Sequence, residues 1–230
     1  MRIGTWNLAG RWSAAHHEFL LAGRCDVWLL TEVSDRLDVA GHGLSTTSAP
    51  MASRRHWAGV LSHHELTPLG DPHPATAAAL LDDVVLWSSV LPWRSCGDRA
   101  PWATGNHATK TTAAIEELNR HWPRRPLIWG GDWNHALSGR EYAGSVAGRG
   151  ALLATLHRHG LSVPTDRLAH RIEGLLSIDH ISLGPAFLAC AAERLPASGL
   201  SDHDAYVIDL IRDGPRPGEP TAALDHHRGT

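Results

Sequence analysis

The chain is poor in cysteine, in lysine and in long apolar runs, and each shortage removes a class of protein. Three cysteines (Cys25, Cys96 and Cys190) in 230 residues are too few and too widely spaced for a disulfide framework or a thiolate zinc cage. A reduced, cytoplasmic protein is the expectation. No apolar stretch approaches the ~18 residues that span a bilayer, and the start, MRIGTWNLAGRW, has no apolar core of a secretory signal. Neither membrane insertion nor secretion is expected. Lys110 is the single lysine beside many arginines, a bias that fits a GC-rich coding sequence better than an arginine code for phosphate. A net charge of −3 with 20% charged residues suits neither a polybasic coat protein nor a disordered chain. With 43% hydrophobic residues, the chain can bury a substantial core.

Local patterns read as one domain over 1–212 followed by a flexible tail, 213–230, rich in Pro and Gly. Arg2–Trp6 is short and extended and runs into a turn at Leu8-Ala9-Gly10. Trp12–Arg24 carries Trp12, Ala15, Phe19 and Ala22 at helical spacing. Asp26–Leu30 reads as a buried strand that ends at Thr31-Glu32. Gly43–Ser48, Trp57–Ser62, Ala75–Leu81 and Val84–Leu91 are strand-like, although the Ala-rich third piece also suits a helix. Pro92–Gly105 is a loop, Asn106–Trp122 a helix stopped by Pro123, and Pro126–Gly130 a strand. Gly150–His159 is a helix capped by Gly160. Arg171–Leu176, His180–Leu183, Phe187–Ala192 and Ala205–Ile211 complete the strands. Many short strands with few, widely separated helices predict an α+β arrangement rather than a Rossmann alternation.

Polar residues stand directly at the ends of these apolar strands: Asn7, Glu32, Asp132 with Asn134, Asp179, and Asp202-His203. Strand ends on one sheet edge can build a single site from distant positions. Carboxylates gathered in a cleft repel one another unless a cation lies between them. Oxygen donors without thiolates favour a hard ion, Mg²⁺ or Mn²⁺. Asp132 and Asn134, two residues apart, face the same way on an extended backbone. The carboxylate can orient an attacking water while the amide donates to a phosphate. Asp179 can hold a histidine in one tautomer, and His203 is the natural candidate for stabilising charge on a transferring phosphoryl group.

Thr5-Trp6-Asn7, Thr31-Glu32-Val33, Gly131-Asp132-Trp133-Asn134, Ser177-Ile178-Asp179-His180-Ile181 and Ser201-Asp202-His203 resemble, in order, the motifs of the endonuclease/exonuclease/phosphatase superfamily, the deoxyribonuclease-I-like metallo-phosphoesterases. The resemblance implies a four-layer α/β/β/α sandwich of two mainly antiparallel sheets flanked by helices. It also implies Mg²⁺- or Mn²⁺-dependent phosphoester hydrolysis by in-line attack of water. Carried over, Glu32 is the main metal ligand with Asn7 and Asp202 near the metal. Asp132 positions the water, Asn134 binds the phosphate, and His203, oriented by Asp179, stabilises its charge. One family feature is missing: Val90 stands where a middle-strand histidine is usual, with His107 or Arg94 as candidate substitutes.

Other chemistries fit less well. The histidine pairs His16-His17, His63-His64, His157/His159 and His226-His227 lack metalloprotease spacing, and adjacent histidines should point apart on the surface. Ser62 and Ser177 lack a nucleophile-elbow context. Trp28, Trp87 and Trp129 read as core; Trp57, Trp93, Trp102 and Trp133 lie where they could stack on a base or sugar, with core packing the plainer reading. Arg54-Arg55-His56, Arg94, Arg140 and Arg171 could rim the site and meet a phosphate backbone. The expectation is a monomeric phosphodiesterase of nuclease type. The alternatives are a phosphatase or phospholipase-type hydrolase, and a binding protein that keeps the fold without catalysis.

Overall fold

Alternation along the first two strands sets the layers. In β1 (Arg2–Asn7) and β2 (Val27–Ser34), Ile3, Val27 and Leu29 face one side, Trp6, Trp28 and Leu30 the other, and both sets are buried. A strand buried on both faces needs cover on both. The computed structural model, which describes residues 1–213, shows what supplies it. In chain order the remaining elements are α1 (Ala14–Ala22), β3 (Gly43–Thr46), β4 (Pro50–Ala52), β5 (Arg55–Ser62), β6 (Thr67–Pro68), β7 (Thr76–Leu81) and β8 (Val84–Val90). There follow α2 (His107–Arg120), β9 (Leu127–Asp132), α3 (Val146–Arg158), β10 (Asp179–Leu183), β11 (Phe187–Leu195) and β12 (Ala205–Arg212).

One sheet runs β11-β12-β1-β2-β5-β3 with β4 beside β5, and the other runs β10-β9-β8-β7-β6. Each holds one parallel pair, β1/β2 and β8/β9, joined through α1 and α2; every other pairing is antiparallel. Ile3, Val27, Leu29 and Ile208 of the first sheet meet Leu86, Ile128 and Ile181 of the second in the central core. Leu20 of α1 covers Trp6, Trp28 and Leu30, while Ile115, Leu118, Leu152 and Leu156 of α2 and α3 cover Val85, Trp87 and Trp129. The order of layers is therefore helix, sheet, sheet, helices. One hydroxyl inside the core ties the sheets together: Ser88 Oγ donates to the Leu30 carbonyl at 2.7 Å. Among the described residues, no helix is long and apolar enough to cross a membrane.

Several expectations need correction. Arg171–Leu176 is not a strand, because the chain turns at Gly174 (φ 77°), folds His170 N–H onto the Leu175 carbonyl and leaves only a single bridge, Ala169 to Leu176. The third helix starts at Val146, four residues before Gly150: Ser145 caps it by accepting from the Gly148 amide, and two interior glycines hide that turn in the sequence. Trp133 is wholly buried under α3, and Trp57 and Trp102 are buried against each other, so for these three the plainer reading of core packing holds. His16 is buried beside Trp6 rather than solvated. Of the tail, only Asp213 falls within the described residues, so the rest of the tail and its histidine pair lie outside them.

Two buried histidines make stability depend on pH. Burial pushes His73, stacked on Trp102, and His180, at the second sheet's edge, down to about 4. At these two positions the unfolded chain, with ordinary imidazoles, binds more protons than the folded one between about pH 6.5 and 4, so their contribution to stability falls as pH drops through that window. Each histidine accounts for about 3 kcal/mol once the pH is below both values. His73 Nδ1 accepts from the Ala75 amide, a bond that the side-chain oxygen of an asparagine can reproduce without titrating. His73→Asn is expected to flatten the dependence of Tm on pH across that range. A slope equal to that of wild type would show that His73 is protonated in the fold.

Candidate active site

The topology brings the polar strand ends to one edge. Asn7 and Asp132 are the last residues of β1 and β9. Asp179 opens β10 directly opposite Asp132, because β10 runs antiparallel to β9. Asn7 pairs with Thr31, which puts Glu32 beside it, and β12 runs back along β1, so the loop before it delivers Asp202 and His203. Gly131 (φ 124°) makes the approach possible: a Cβ there would lie 2.2 Å from the Ser89 carbonyl oxygen. Glu32 (φ 49°) and Asn134 (φ 53°) also hold left-handed backbone, a strain of about 1–3 kcal/mol each that concentrates at functional positions.

Asn7 Nδ2 is the hub. It donates to Asp132 Oδ2 at 2.9 Å and to Glu32 Oε1 at 3.3 Å, while Asn7 Oδ1 accepts from the Ala9 amide. Asp179 Oδ2 lies 2.8 Å from His203 Nδ1, and His203 Nε2 lies 3.9 Å from Asp132 Oδ2. Burial disfavours the charged imidazole, but Asp179, Asp132 and Asp202 together outweigh it, and His203 is pushed up to about 10. Burial, reinforced by the charge of Asp179, pushes Asp132 up to about 7. Asp179 Oδ1 is buried without a hydrogen-bond partner. Asp202 is exposed, and the Ser201 hydroxyl links it to the Asn7 carbonyl.

Asn134 uses one amide hydrogen on the Leu91 carbonyl, which leaves the second for a ligand, and its backbone N–H donates to Asp132 Oδ1. Val90 is buried in an apolar cluster with Trp57, Ala75 and Trp102. His107 does not replace the missing histidine: its ring nitrogens meet Ser145 Oγ and the Pro92 carbonyl, and burial lowers its basicity. Arg94 is held on the Gly144 carbonyl, and Arg171 on that of Ser201.

Two contacts emerge only in the fold, although Arg55 is already a candidate for the rim of the site from the sequence. Arg55 Nη1 donates to Glu32 Oε2 at 2.7 Å, its guanidinium lying over Gly10, where a Cβ would meet it at 2.2 Å. Tyr142, on the loop before α3, donates its hydroxyl to the Leu176 carbonyl. Burial and the nearby Asp179 charge keep that phenol firmly protonated.

The donor set fits a hard divalent cation. Glu32, Asp132, Asp179 and Asp202 supply four carboxylates, whereas Arg55 and protonated His203 supply two cations, which leaves a double negative charge. After burial, the charge of Asp179 is the next cause of the raised basicity of Asp132, in keeping with that excess of negative charge. Asp132, Asp179 and His203 also lie close enough to share an ion, but there the imidazolium already occupies the role of cation. Glu32, Asn7 and Asp202 are the residues left with oxygen donors to offer.

A profile of the Endonuclease/Exonuclease/phosphatase family matches residues 4–203. The chain belongs to that family. Its members are hydrolases of phosphoester bonds. The endonuclease/exonuclease/phosphatase fold also appears in solved structures that resemble this one. The endonuclease domain of TRAS1, a telomere-specific non-LTR retrotransposon, matches with a TM-score of 0.65 at 17% identity, over 92% of this chain and 97% of that one. The AP endonuclease LMAP from Leishmania major gives 0.66 at 16%, over 93% and 88%. Humanized TDP2 from D. rerio gives 0.58 at 14%, over 92% and 98%. At such identities the likeness is one of fold, and it agrees with the four-layer sandwich expected from the motifs. No curated protein sequence matches the chain significantly.

Proposed function

We propose that this endonuclease/exonuclease/phosphatase-family protein is a Mg²⁺- or Mn²⁺-dependent phosphodiesterase that cleaves nucleic acid, with residues 1–212 as the catalytic unit. The observation that carries this reading is the union of the His203–Asp179 pair with the Asn7–Glu32–Asp132 network at one sheet edge. Glu32, Asn7 and Asp202 would hold the metal ion, which when bound supplies charge neutralisation at the phosphate oxygens. Asp132 orients a water for in-line attack and takes its proton as the new P–O bond forms. Asn134 donates to a non-bridging oxygen. His203, locked by Asp179, places a fixed positive charge where negative charge develops while the leaving oxygen departs.

A polymeric substrate is favoured by the surface beside Glu32. A polar cavity of about 370 Å³ is lined by Arg11, Arg36, Arg54 and Arg55 with Trp12 and Asp35. Arg54 pairs with Asp35 and Arg55 with Glu32, whereas Arg36 has no ion pair among the described residues. Several guanidinium groups beside a hydrolytic centre suit phosphates flanking the scissile one.

Supercoiled plasmid tests the reading. Mg²⁺ should convert it to open circles, and chelator should stop the conversion. Duplex binding should weaken steeply with salt, with the slope shallower by about two in Arg36→Gln/Arg54→Gln. An intact plasmid together with salt-insensitive hydrolysis of a phosphomonoester would replace this reading with a small-substrate phosphatase.

A further inference from the structure

Asp26, His63 and His64 converge at the far end of the first sheet. Asp26 precedes β2, six residues before Glu32, so the two carboxylates are roughly 20 Å apart at strand rise and cannot share an ion. Adjacent histidines on a regular strand point apart, but β5 ends at Ser62 and the chain bends there. Both imidazoles consequently turn toward one oxygen: Asp26 Oδ1 is 3.7 Å from His63 Nε2 and 3.8 Å from His64 Nε2. The rings lie 4.1 Å apart, centroid to centroid.

The backbone fixes this arrangement. The buried Ser62 hydroxyl donates to the Asp26 carbonyl at 2.7 Å and accepts from the His64 amide at 3.0 Å. The Arg2 amide holds Asp26 Oδ2 at 2.7 Å, which leaves Oδ1 for the imidazoles. At 3.7–3.8 Å neither imidazole makes a hydrogen bond to it. All three donor atoms nevertheless fall within 4.8 Å of one another. Bonds of about 2.1 Å in a tetrahedron require donor separations of roughly 3.4 Å, so the Asp26–imidazole distances need close by only a few tenths of an ångström.

We propose that Asp26, His63 and His64 form a second metal site, for a borderline transition ion of the Zn²⁺ class. Two imidazoles and one carboxylate suit Zn²⁺, Ni²⁺ or Cu²⁺ and not Mg²⁺. The partly exposed side chains leave the remaining coordination positions to water. A cleft of about 300 Å³ lined by His42, Arg24 and Leu21 adjoins the site on the His63 side. Bound there, it clamps the start of β2 to the end of β5 and stabilises the fold without touching the phosphoester site.

Titration of the metal-stripped full chain with Zn²⁺ in a calorimeter, with excess Mg²⁺ present, tests this. One Zn²⁺ is expected to bind and raise Tm. His63→Ala and Asp26→Asn should each weaken that binding about tenfold or more and remove the gain in Tm. Glu32→Ala and His226→Ala/His227→Ala should leave it intact. The amide oxygen introduced by Asp26→Asn can still accept from the Arg2 amide, so loss of zinc in that variant is not a loss of fold. Unchanged zinc affinity in His63→Ala, or loss of binding in either control, overturns the assignment.

Discussion

His203→Ala is expected to lower plasmid cleavage by about 10²–10⁴, with the chain still folded at assay temperature. The imidazole is gripped at Nδ1 by Asp179 and faces Asp132 through Nε2, so it presents a charge with almost no freedom to reorient. A preorganised cation of this kind acts mainly on the transition state, and alanine leaves nothing in its place. Its removal also has a structural cost. Asp179 is 1% exposed and one of its oxygens already lacks a partner, so alanine at 203 leaves a buried carboxylate unpaired, at about 3–5 kcal/mol if it stays ionised. Asp179→Asn separates the two effects. It keeps an acceptor for His203 Nδ1 but removes the charge, so stability should change less while the imidazolium becomes easier to deprotonate and the rate falls at high pH. Wild-type cleavage by His203→Ala in a folded protein would remove His203 from the chemistry.

The sandwich was legible in the sequence where strands are buried on both faces. Val27–Thr31 and Leu127–Gly131 are short runs each followed directly by a carboxylate, Glu32 and Asp132, and those endings mark the edge that carries the candidate site. The strand stops at Asp132 and Asn134 follows in left-handed backbone, so a turn in which the Asn134 N–H donates to Asp132 Oδ1, rather than alternation on an extended strand, brings the two together; Trp133 between them packs into the core beneath α3, the plainer of its two readings. Glycine concealed more than it revealed. Gly148 and Gly150 masked the first turn of α3, yet Gly148 is required there, since a Cβ would strike His135 at 2.6 Å. The Arg55–Glu32 pair depends on the antiparallel registration of β2 with β5, a contact between positions 23 residues apart that no local pattern encodes. His63 and His64 converge only because the strand stops at Ser62, and strand ends are what periodicity determines least well.

Glu32→Gly should separate stability from function at the carboxylate proposed to hold the metal. Glu32 sits at φ 49°, where a residue with a Cβ is strained and glycine is not, which is worth about 1 kcal/mol in favour of glycine. Against this stands the ion pair with Arg55, partly open to solvent and worth at most about 1 kcal/mol. The two terms nearly cancel, so the variant should melt close to wild type, while Glu32→Ala, which loses the pair and keeps the strain, should melt lower. Both should cleave plasmid about 10²–10⁴-fold more slowly, because either one removes the carboxylate assigned to the metal and adds the unpaired charge of Arg55 to the site. Raising Mg²⁺ should recover part of the loss if Glu32 acts through metal affinity. Full activity in a Glu32→Gly protein of normal Tm would mean that the strained backbone and the ion pair serve only the fold, and the metal would then have to be held by the carboxylates around His203.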